Sequence, residues 1–314
     1  MGVLVLTVTY NDRFNYLSKS LQELAKQQAT GVVIVYNGCP ESVIEKTQAL
    51  ESVYGIKIYP VILEKNEGSA GGFYRGLDYI IKNRLIEDKL LMLDDDNLIP
   101  DGLLAKLTEK TLSDKEIGLV LREDRKDLFF ARETGNPCIN ISTKNAFLGR
   151  DFFKKNYQDF EKTSGDIICA PYSGLVISKN TLNPGWLPDK NYYLYVDDYD
   201  FTYRLVMENG CKINFIDGDK IVDLEKSFHL NHKKRILNNR YLNASRIQVY
   251  YSVRNQILFA KKRINRKHIF YVNALLTIFY MNVSFLLAAK FNLCAAFNKA
   301  VIHGFNNIKG NSFN

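Results

Sequence analysis

At 314 residues the chain is long enough for one large α/β domain, or for a domain with an appendage. Its hydrophobic content of 46% with 24% charge is ordinary for a globular protein, and five scattered cysteines without CxxC spacing indicate free thiols in a reducing compartment and no structural zinc site. The net charge of +8 conceals a division: residues 1–225 hold all 34 acids against 27 Lys and Arg, whereas 226–314 hold 15 Lys and Arg and no acid. Such a basic region asks for a polyanionic neighbour, either nucleic acid or an anionic membrane surface.

The chain opens directly on VLVLTVTY, without a basic n-region or a small-residue cleavage site, so a secretory signal is not expected. Val3–Thr9 reads as a short apolar, β-branched strand, and Tyr16–Gln28 carries Leu17, Leu21 and Leu24 at helical spacing. Val32–Tyr36 is a second strand, Glu41–Ser52 a helix, Ile56–Leu63 a third strand, Ala70–Asn83 a helix and Lys89–Leu93 a fourth strand. Strands alternating with helices imply βαβ units and a mostly parallel sheet. Ligands of such sheets bind beyond the carboxyl ends of the strands. That places Thr9, Tyr10 and Asn11, Asn37 and Gly38, the loop at Asn66, and the aspartates after Leu93 on one rim.

Two of those rim segments carry chemistry. In EKNEGSAGGFYRGL (64–77), Gly68, Gly71 and Gly72 permit close backbone approach where a helix starts, and N–H groups there can receive a phosphate. No Lys-Ser/Thr follows, so this is not a P-loop. In LLMLDDDNLIP (90–100), three carboxylates repel one another where a strand ends. If that segment stays extended, Asp94 and Asp96 point one way and can face a hard cation, while Asp95 faces elsewhere. A solvated strand-to-turn corner is the plainer alternative.

A second acidic cluster, WLPDKNYYLYVDDYDFTYRL (186–205), sets Asp197, Asp198 and Asp200 among Trp186, Tyr192, Tyr193, Tyr195, Tyr199 and Phe201. Desolvation by aromatic walls raises a carboxylate toward use as a general base, and aromatic faces suit a sugar ring. A buried aromatic core with a helix-capping Asp fits the same residues, and Arg204 is expected to pair with one of the acids. In SFHLNHKK (227–234), His229 can complete a metal site, whereas His232 looks like part of a basic surface.

Near the C-terminus, 269–289 is an uncharged run of 21 residues, preceded by KKRINRKH and followed by Lys290. Its length permits a membrane span. At helical spacing, however, Asn273, Thr277, Tyr280 and Ser284 share a stripe, which suits a helix packed on protein or lying in an interface. In the interfacial case Lys261, Lys262, Arg263, Arg266 and Lys267 meet anionic headgroups.

Together these residues resemble the inverting family 2 glycosyltransferases of the GT-A fold, most closely the branch of bacterial galactofuranosyl- and rhamnosyltransferases. The shared features are VTYNDR (8–13), VYNG (35–38), NEGSAGGF (66–73), LDDDN (93–97), YSGLVIS (172–178), LPDKNYYLYVDDYDF (187–201), SFH (227–229) and YYSVRN (250–255). The resemblance implies an α/β fold with a Rossmann-like, mostly parallel sheet over 1–225 and a basic, largely helical C-terminal region over 226–314. It implies a UDP- or dTDP-sugar donor, a divalent metal (Mn²⁺ or Mg²⁺), and a glycan or glycolipid acceptor of a growing surface polysaccharide.

Carried over residue by residue, Thr9 and Asn11 would line the base and ribose pocket, with Tyr10, Arg13, Asn37, Gly68 and Asp95 also on the donor side. Asn66, Gly71 and Gly72 would lie against the diphosphate, and Asp94 and Asp96 would hold the ribose and the metal with His229. Asp198 would be the base, Asp197 its catalytic neighbour, and Trp186 and Tyr195 would meet the acceptor. One departure stands out: Tyr36 occupies a position where many members carry an Asp that contacts the nucleobase. The enzyme is expected in the cytoplasm, peripherally attached to the inner face of the plasma membrane and without a nucleic-acid partner. The rival readings are a sugar-phosphate nucleotidyltransferase and a basic nucleic-acid- or membrane-binding protein without catalysis.

Overall fold

The computed structural model describes residues 2–123, 145–153, 167–225 and 239–313. The strands β1 (Val3–Thr9), β2 (Gly31–Asn37), β3 (Ile58–Leu63) and β4 (Lys89–Asp94) alternate with helices α1 (Phe14–Lys26), α2 (Glu41–Tyr54) and α3 (Gly68–Lys82). β1 and β2 are apolar on both faces because helices cover both. Leu4, Leu6, Val33 and Val35 pack with Phe73, Leu77 and Ile80 of α3, while Val3, Val5, Val32 and Ile34 pack with Leu17, Leu21 and Leu24 of α1. All four strands run parallel, with Thr9 opposite Tyr36 and Val8 opposite Asp94. Their carboxyl ends therefore finish level and form the expected rim.

Beyond β4 come β5 (Asn97–Leu98), α4 (Leu103–Glu109), β6 (Glu116–Arg122), β7 (Leu175–Ser178), α5 (Asp197–Tyr203) and β8 (Lys212–Asp223). They extend one sheet in the order β3-β2-β1-β4-β7-β6-β8-β5. β7 runs antiparallel to both β4 and β6, β8 runs parallel to β6, and β5 runs antiparallel to β8. The apolar pattern does not announce this half, since β5 and β7 are very short and β8 is largely exposed through Asp217–Lys220. The β5–β8 pairing has a direct consequence. It sets Asn97 opposite Asp223 and returns the end of β8 to the aspartate rim.

The C-terminal helices α6 (Arg246–Lys261), α7 (Lys267–Leu287) and α8 (Phe291–Phe305) share a core of their own, in which Val249, Val253, Phe270, Phe285 and Phe297 meet. Ser245 starts α6 with a capping box, its side chain accepting from the Gln248 N–H while the Gln248 side chain accepts from the Ser245 N–H. Leu258 and Phe259 of α6 also pack on Ala70, Ile168 and Tyr192, which seats this bundle against the start of α3.

Within α7 the polar stripe faces inward: Asn273, Thr277 and Ser284 are buried. The expected basic surface needs a correction. The Lys261 ammonium donates to the Phe305 carbonyl at 2.6 Å, and Arg263 pairs with Asp200 at 3.1 Å. The Lys262 ammonium lies 3.8 Å from the same carboxylate. Lys261 and Arg263 fasten the bundle, while Lys262, Arg266 and Lys267 remain exposed around the start of α7.

Candidate active site

Strand β4 ends at Asp94, and the chain turns through Asp95 and Asp96 before β5. A turn at Asp95 and Asp96 thus replaces the extended segment expected there, and Asp94 remains close enough to raise the Asp96 carboxyl. The Asp94 carboxylate accepts from Arg122 at 2.7 Å, and the other end of that guanidinium pairs with Asp223 at 2.6 Å. Asp95 accepts from the Thr9 hydroxyl at 2.7 Å and from Arg13 Nε at 2.9 Å. Asp96 accepts from Arg13 at 2.9 Å and from the Asn97 amide at 3.1 Å, and Arg13 reaches Glu225 at 2.6 Å. The Arg13 guanidinium also lies 5.1 Å and 4.9 Å from the ring centres of Tyr10 and Tyr16. The repulsion in the aspartate run is thus answered by two arginines, one of them 109 positions away from the other in a fold that joins β6 to the rim.

Some expected donor contacts are buried in this framework. Thr9 is fully buried with its hydroxyl spent on Asp95, and Asp95 is itself buried. Tyr36 is fully buried in the core beside α1, its hydroxyl included. Tyr10 and Asn11 remain exposed on the rim.

The same carboxylates bear on a metal. Burial pushes the Asp96 carboxyl up to about 8, and the charges of Asp94, Asp223 and Asp95 add to this against the pull of Arg13. Asp94 is the accessible member, its side chain 40% exposed. The oxygen-only donor set suits Mg²⁺ or Mn²⁺ held by one or two carboxylates with substrate phosphates completing the shell. Among the described residues no group of three or more His, Cys, Asp and Glu is poised as a ligand set. His229 and His232 lie outside the described residues.

The start of α3 is built differently from a free phosphate cradle. The Asn37 side chain accepts from the Glu67 N–H at 2.7 Å and donates to the Gly68 carbonyl at 2.9 Å. Asn66 accepts from the Gly68 N–H at 2.8 Å, and the Ala70 N–H donates to the Tyr193 carbonyl at 3.2 Å. Three N–H groups at the start of α3, those of Glu67, Gly68 and Ala70, are therefore already satisfied within the protein. Gly68, at φ +74°, would place a Cβ 1.9 Å from the Tyr193 carbonyl oxygen, and Gly72 would place one 2.5 Å from Val8. These glycines let α3 press against β1 and against the second acidic segment.

That segment is held in an uncommon shape. Tyr193, Tyr195 and Val196 all lie at positive φ, between 65° and 67°, a region costly for bulky and β-branched residues. The reason it persists is in α6. Asn255 Nδ2 donates to the carbonyls of Tyr192, Leu194 and Tyr195 at 2.8, 2.7 and 2.9 Å, and the fully buried Arg254 donates to Tyr192 at 2.8 Å. Arg254 also donates to the Gly310 carbonyl at 2.6 Å and the Ser312 hydroxyl at 2.7 Å, tying the C-terminal tail to the same point. The strain is over-determined by hydrogen bonds.

The loop delivers Asp197 and Asp198 onto the first turn of α5, and the two differ sharply. Asp197 is buried and accepts from the Ser69 hydroxyl at 2.8 Å. Burial and the adjacent Asp198 push its carboxyl well above the usual range. Asp198 is half-exposed. Asp200, fully buried, is pulled the other way: burial opposes its charge, but Lys262, Arg204 and Arg263 outweigh burial and hold it below the usual value. Its pairing with Arg204 at 2.9 Å is the one expected from the sequence. Trp186 packs against the sheet core, so it is a wall more than a free platform. Tyr195 is pushed up to about 12 by burial, with Tyr10 and Asp197 adding to it against a hydrogen bond to Gln248, so Tyr195 lies near both Tyr10 and Asp197.

Arg122, Asp223, Glu225 and Ser69 were not singled out from the sequence, because each reaches the site through long-range strand pairing or a helix contact. Arg254 and Asn255 were visible only as a quoted motif without a role.

No protein-family model and no curated protein matches the chain. Among solved structures, S. aureus TarS 1-349 aligns with a TM-score of 0.51 at 14% identity, covering 98% of this chain and 92% of that one. GalNAc-T7, solved with UDP, GalNAc and Mn²⁺, aligns with a TM-score of 0.51 at 11% identity, covering 83% of this chain and 48% of that one. The mixed sheet described above, with its helical C-terminal region, has the GT-A fold, which these two structures share.

Proposed function

We propose that the protein is an inverting glycosyltransferase that moves a sugar, with galactofuranose or rhamnose favoured, from a UDP- or dTDP-linked donor to a hydroxyl of a lipid-linked glycan. The observation that carries this reading is the division of labour in the Asp197–Asp198 pair across one cleft from the Asp94–Asp96 rim. Two adjacent carboxylates do not both ionise readily at close range. Burial holds the proton on Asp197, and Asp198, the less buried of the two, is the member assigned as base.

Asp198 takes the proton of the acceptor hydroxyl as that oxygen attacks the anomeric carbon. The bond to the diphosphate breaks on the opposite side, so the anomeric configuration inverts and no covalent enzyme intermediate forms. Tyr10 and Asn11 are the exposed groups available to the nucleoside, and the Arg13 and Arg122 clamps hold the rim carboxylates in place. A divalent cation, held by Asp94 and Asp96, would supply Lewis-acid stabilisation of the leaving diphosphate. GalNAc-T7, which shares the fold, was solved with UDP and Mn²⁺.

A nucleotidyltransferase fits less well. Such an enzyme uses a basic loop after the first strand, and here the one arginine of that segment, Arg13, is committed to Asp95, Asp96 and Glu225. The test is a screen for nucleotide release over UDP-galactofuranose, dTDP-rhamnose, UDP-glucose and UDP-GlcNAc, with a lipid extract as acceptor. Release from one donor that stops in EDTA and returns with Mn²⁺ supports the reading. Pyrophosphate release from a nucleoside triphosphate and sugar phosphate would favour the rival.

A further inference from the structure

The helix α7 is inside-out by the standards of a soluble protein. Its buried face holds Asn273, Thr277 and Ser284 among Phe270, Ala274 and Phe285. Asn273 is fully engaged there, accepting from the Phe152 N–H at 3.0 Å and donating to the Asn145 carbonyl and the Asp151 carboxylate, both at 2.9 Å. The outer face is apolar apart from the half-buried Asn282, whose amide is taken up by the Ile278 carbonyl and by Asn298 of α8. Tyr271, Leu275 and Phe279 follow one another at four-residue spacing, and Leu286 and Leu287 continue to Phe291 at the start of α8. Leu275, Phe279 and Leu287 are 67%, 70% and 72% exposed. Water is a poor neighbour for such a continuous stripe.

The charges around the stripe select its occupant. Arg266 and Lys267 are exposed at one end of the 21-residue helix and Lys290 at the other, about 31 Å apart along a helix of that length. A second copy of the chain laid on this face, parallel or antiparallel, would set these cations against one another, and residues 226–314 hold no acid to relieve the repulsion. A lipid surface with anionic headgroups meets both requirements at once, taking the apolar side chains below the headgroups and the cations among them. The inner face of α7 is packed on protein, so the helix lies along such a surface and does not cross it. We infer that the outer face of α7, from Tyr271 to Phe291, docks the protein flat on an anionic membrane.

The experiment is vesicle flotation of the full chain, with phosphatidylcholine alone and with phosphatidylcholine mixed with phosphatidylglycerol. Because no sugar transfer is read, its outcome is separate from that of the proposed activity. The wild type is expected to float with the anionic vesicles, less so as salt rises. A Leu275→Glu/Phe279→Glu variant should lose roughly tenfold or more in bound fraction. An Arg266→Gln/Lys267→Gln/Lys290→Gln variant should lose roughly tenfold on anionic vesicles and little on neutral ones. All these positions are exposed, so circular dichroism and the thermal midpoint should match the wild type. Absence from the floating fraction at low salt would overturn the inference. So would a dimer in sedimentation that Leu275→Glu/Phe279→Glu dissolves without any vesicle binding, or retention in membranes through alkaline carbonate extraction.

Discussion

Asp197 and Asp198 are neighbours in sequence with opposite environments, and their substitutions should separate accordingly. In Asp198→Asn the group keeps its shape but accepts no proton, so kcat should fall by roughly 10²–10⁴-fold with donor binding little changed. Asp197→Asn bears on stability instead. Its carboxyl is raised in the folded protein, so the folded state holds a proton that the unfolded chain has released, and stability falls as pH rises from the usual carboxylate range through the raised value. Thermal melts at about pH 5 and about pH 8.5 should show that fall in the wild type and a shallower one in Asp197→Asn. Asp96, raised to about 8, contributes the same sign, so the slope shrinks without vanishing. The rim makes its own prediction, readable without turnover. If Asp94 receives a cation, Mn²⁺ should raise the thermal midpoint of the wild type and leave that of Asp94→Ala unmoved. An equal rise in both would remove Asp94 from the metal site.

At the level of elements, the proposed base is carried by a loop that its own residues do not favour. Tyr193, Tyr195 and Val196 stay at positive φ because Asn255 binds three carbonyls of the segment. Asn255→Ala leaves those buried acceptors short of a donor, which should cost about 2–3 kcal/mol in a denaturant titration. It should also lower kcat more than it changes donor affinity, because it relaxes the loop that carries Asp198 and leaves the rim intact. Gly68→Ala attacks the same loop from α3. Its Cβ would sit 1.9 Å from the Tyr193 oxygen at a φ of +74°, and about 2–4 kcal/mol of destabilisation is expected. Neither relationship was legible in the sequence. The YYSVRN motif suggested importance but gave no partner, and the glycines of GSAGG gave no sign that an added Cβ there would meet Tyr193, Glu67 and Val8. Local pattern identifies residues that need unusual neighbours. It does not say whether the neighbour is a ligand or a carbonyl.

Across the whole molecule, the first half of the sheet could be read because parallel strands covered on both faces leave long apolar runs between amphipathic helices. The second half could not, because β5 and β7 are very short and β8 alternates weakly with one face in water. What was lost with those strands was the other wall of the rim: Arg122 at the end of β6, and Asp223 and Glu225 at the end of β8. The C-terminal helices were visible as helices, but which face turned inward was decided by packing, and two of the expected surface cations, Lys261 and Arg263, are spent on Phe305, Asn307 and Asp200. The central claim for the assembled molecule is that a nucleotide-sugar bound at the aspartate rim is attacked by a hydroxyl that Asp198 deprotonates. The most direct test measures nucleotide release and nucleotide-diphosphate binding side by side in the wild type, Asp198→Asn and Asp197→Asn. The account predicts acceptor-dependent release in the wild type, its loss in Asp198→Asn with calorimetric binding retained, and substantial activity in Asp197→Asn. Full activity in Asp198→Asn, or an inactive Asp197→Asn that still folds and binds beside it, would contradict the account.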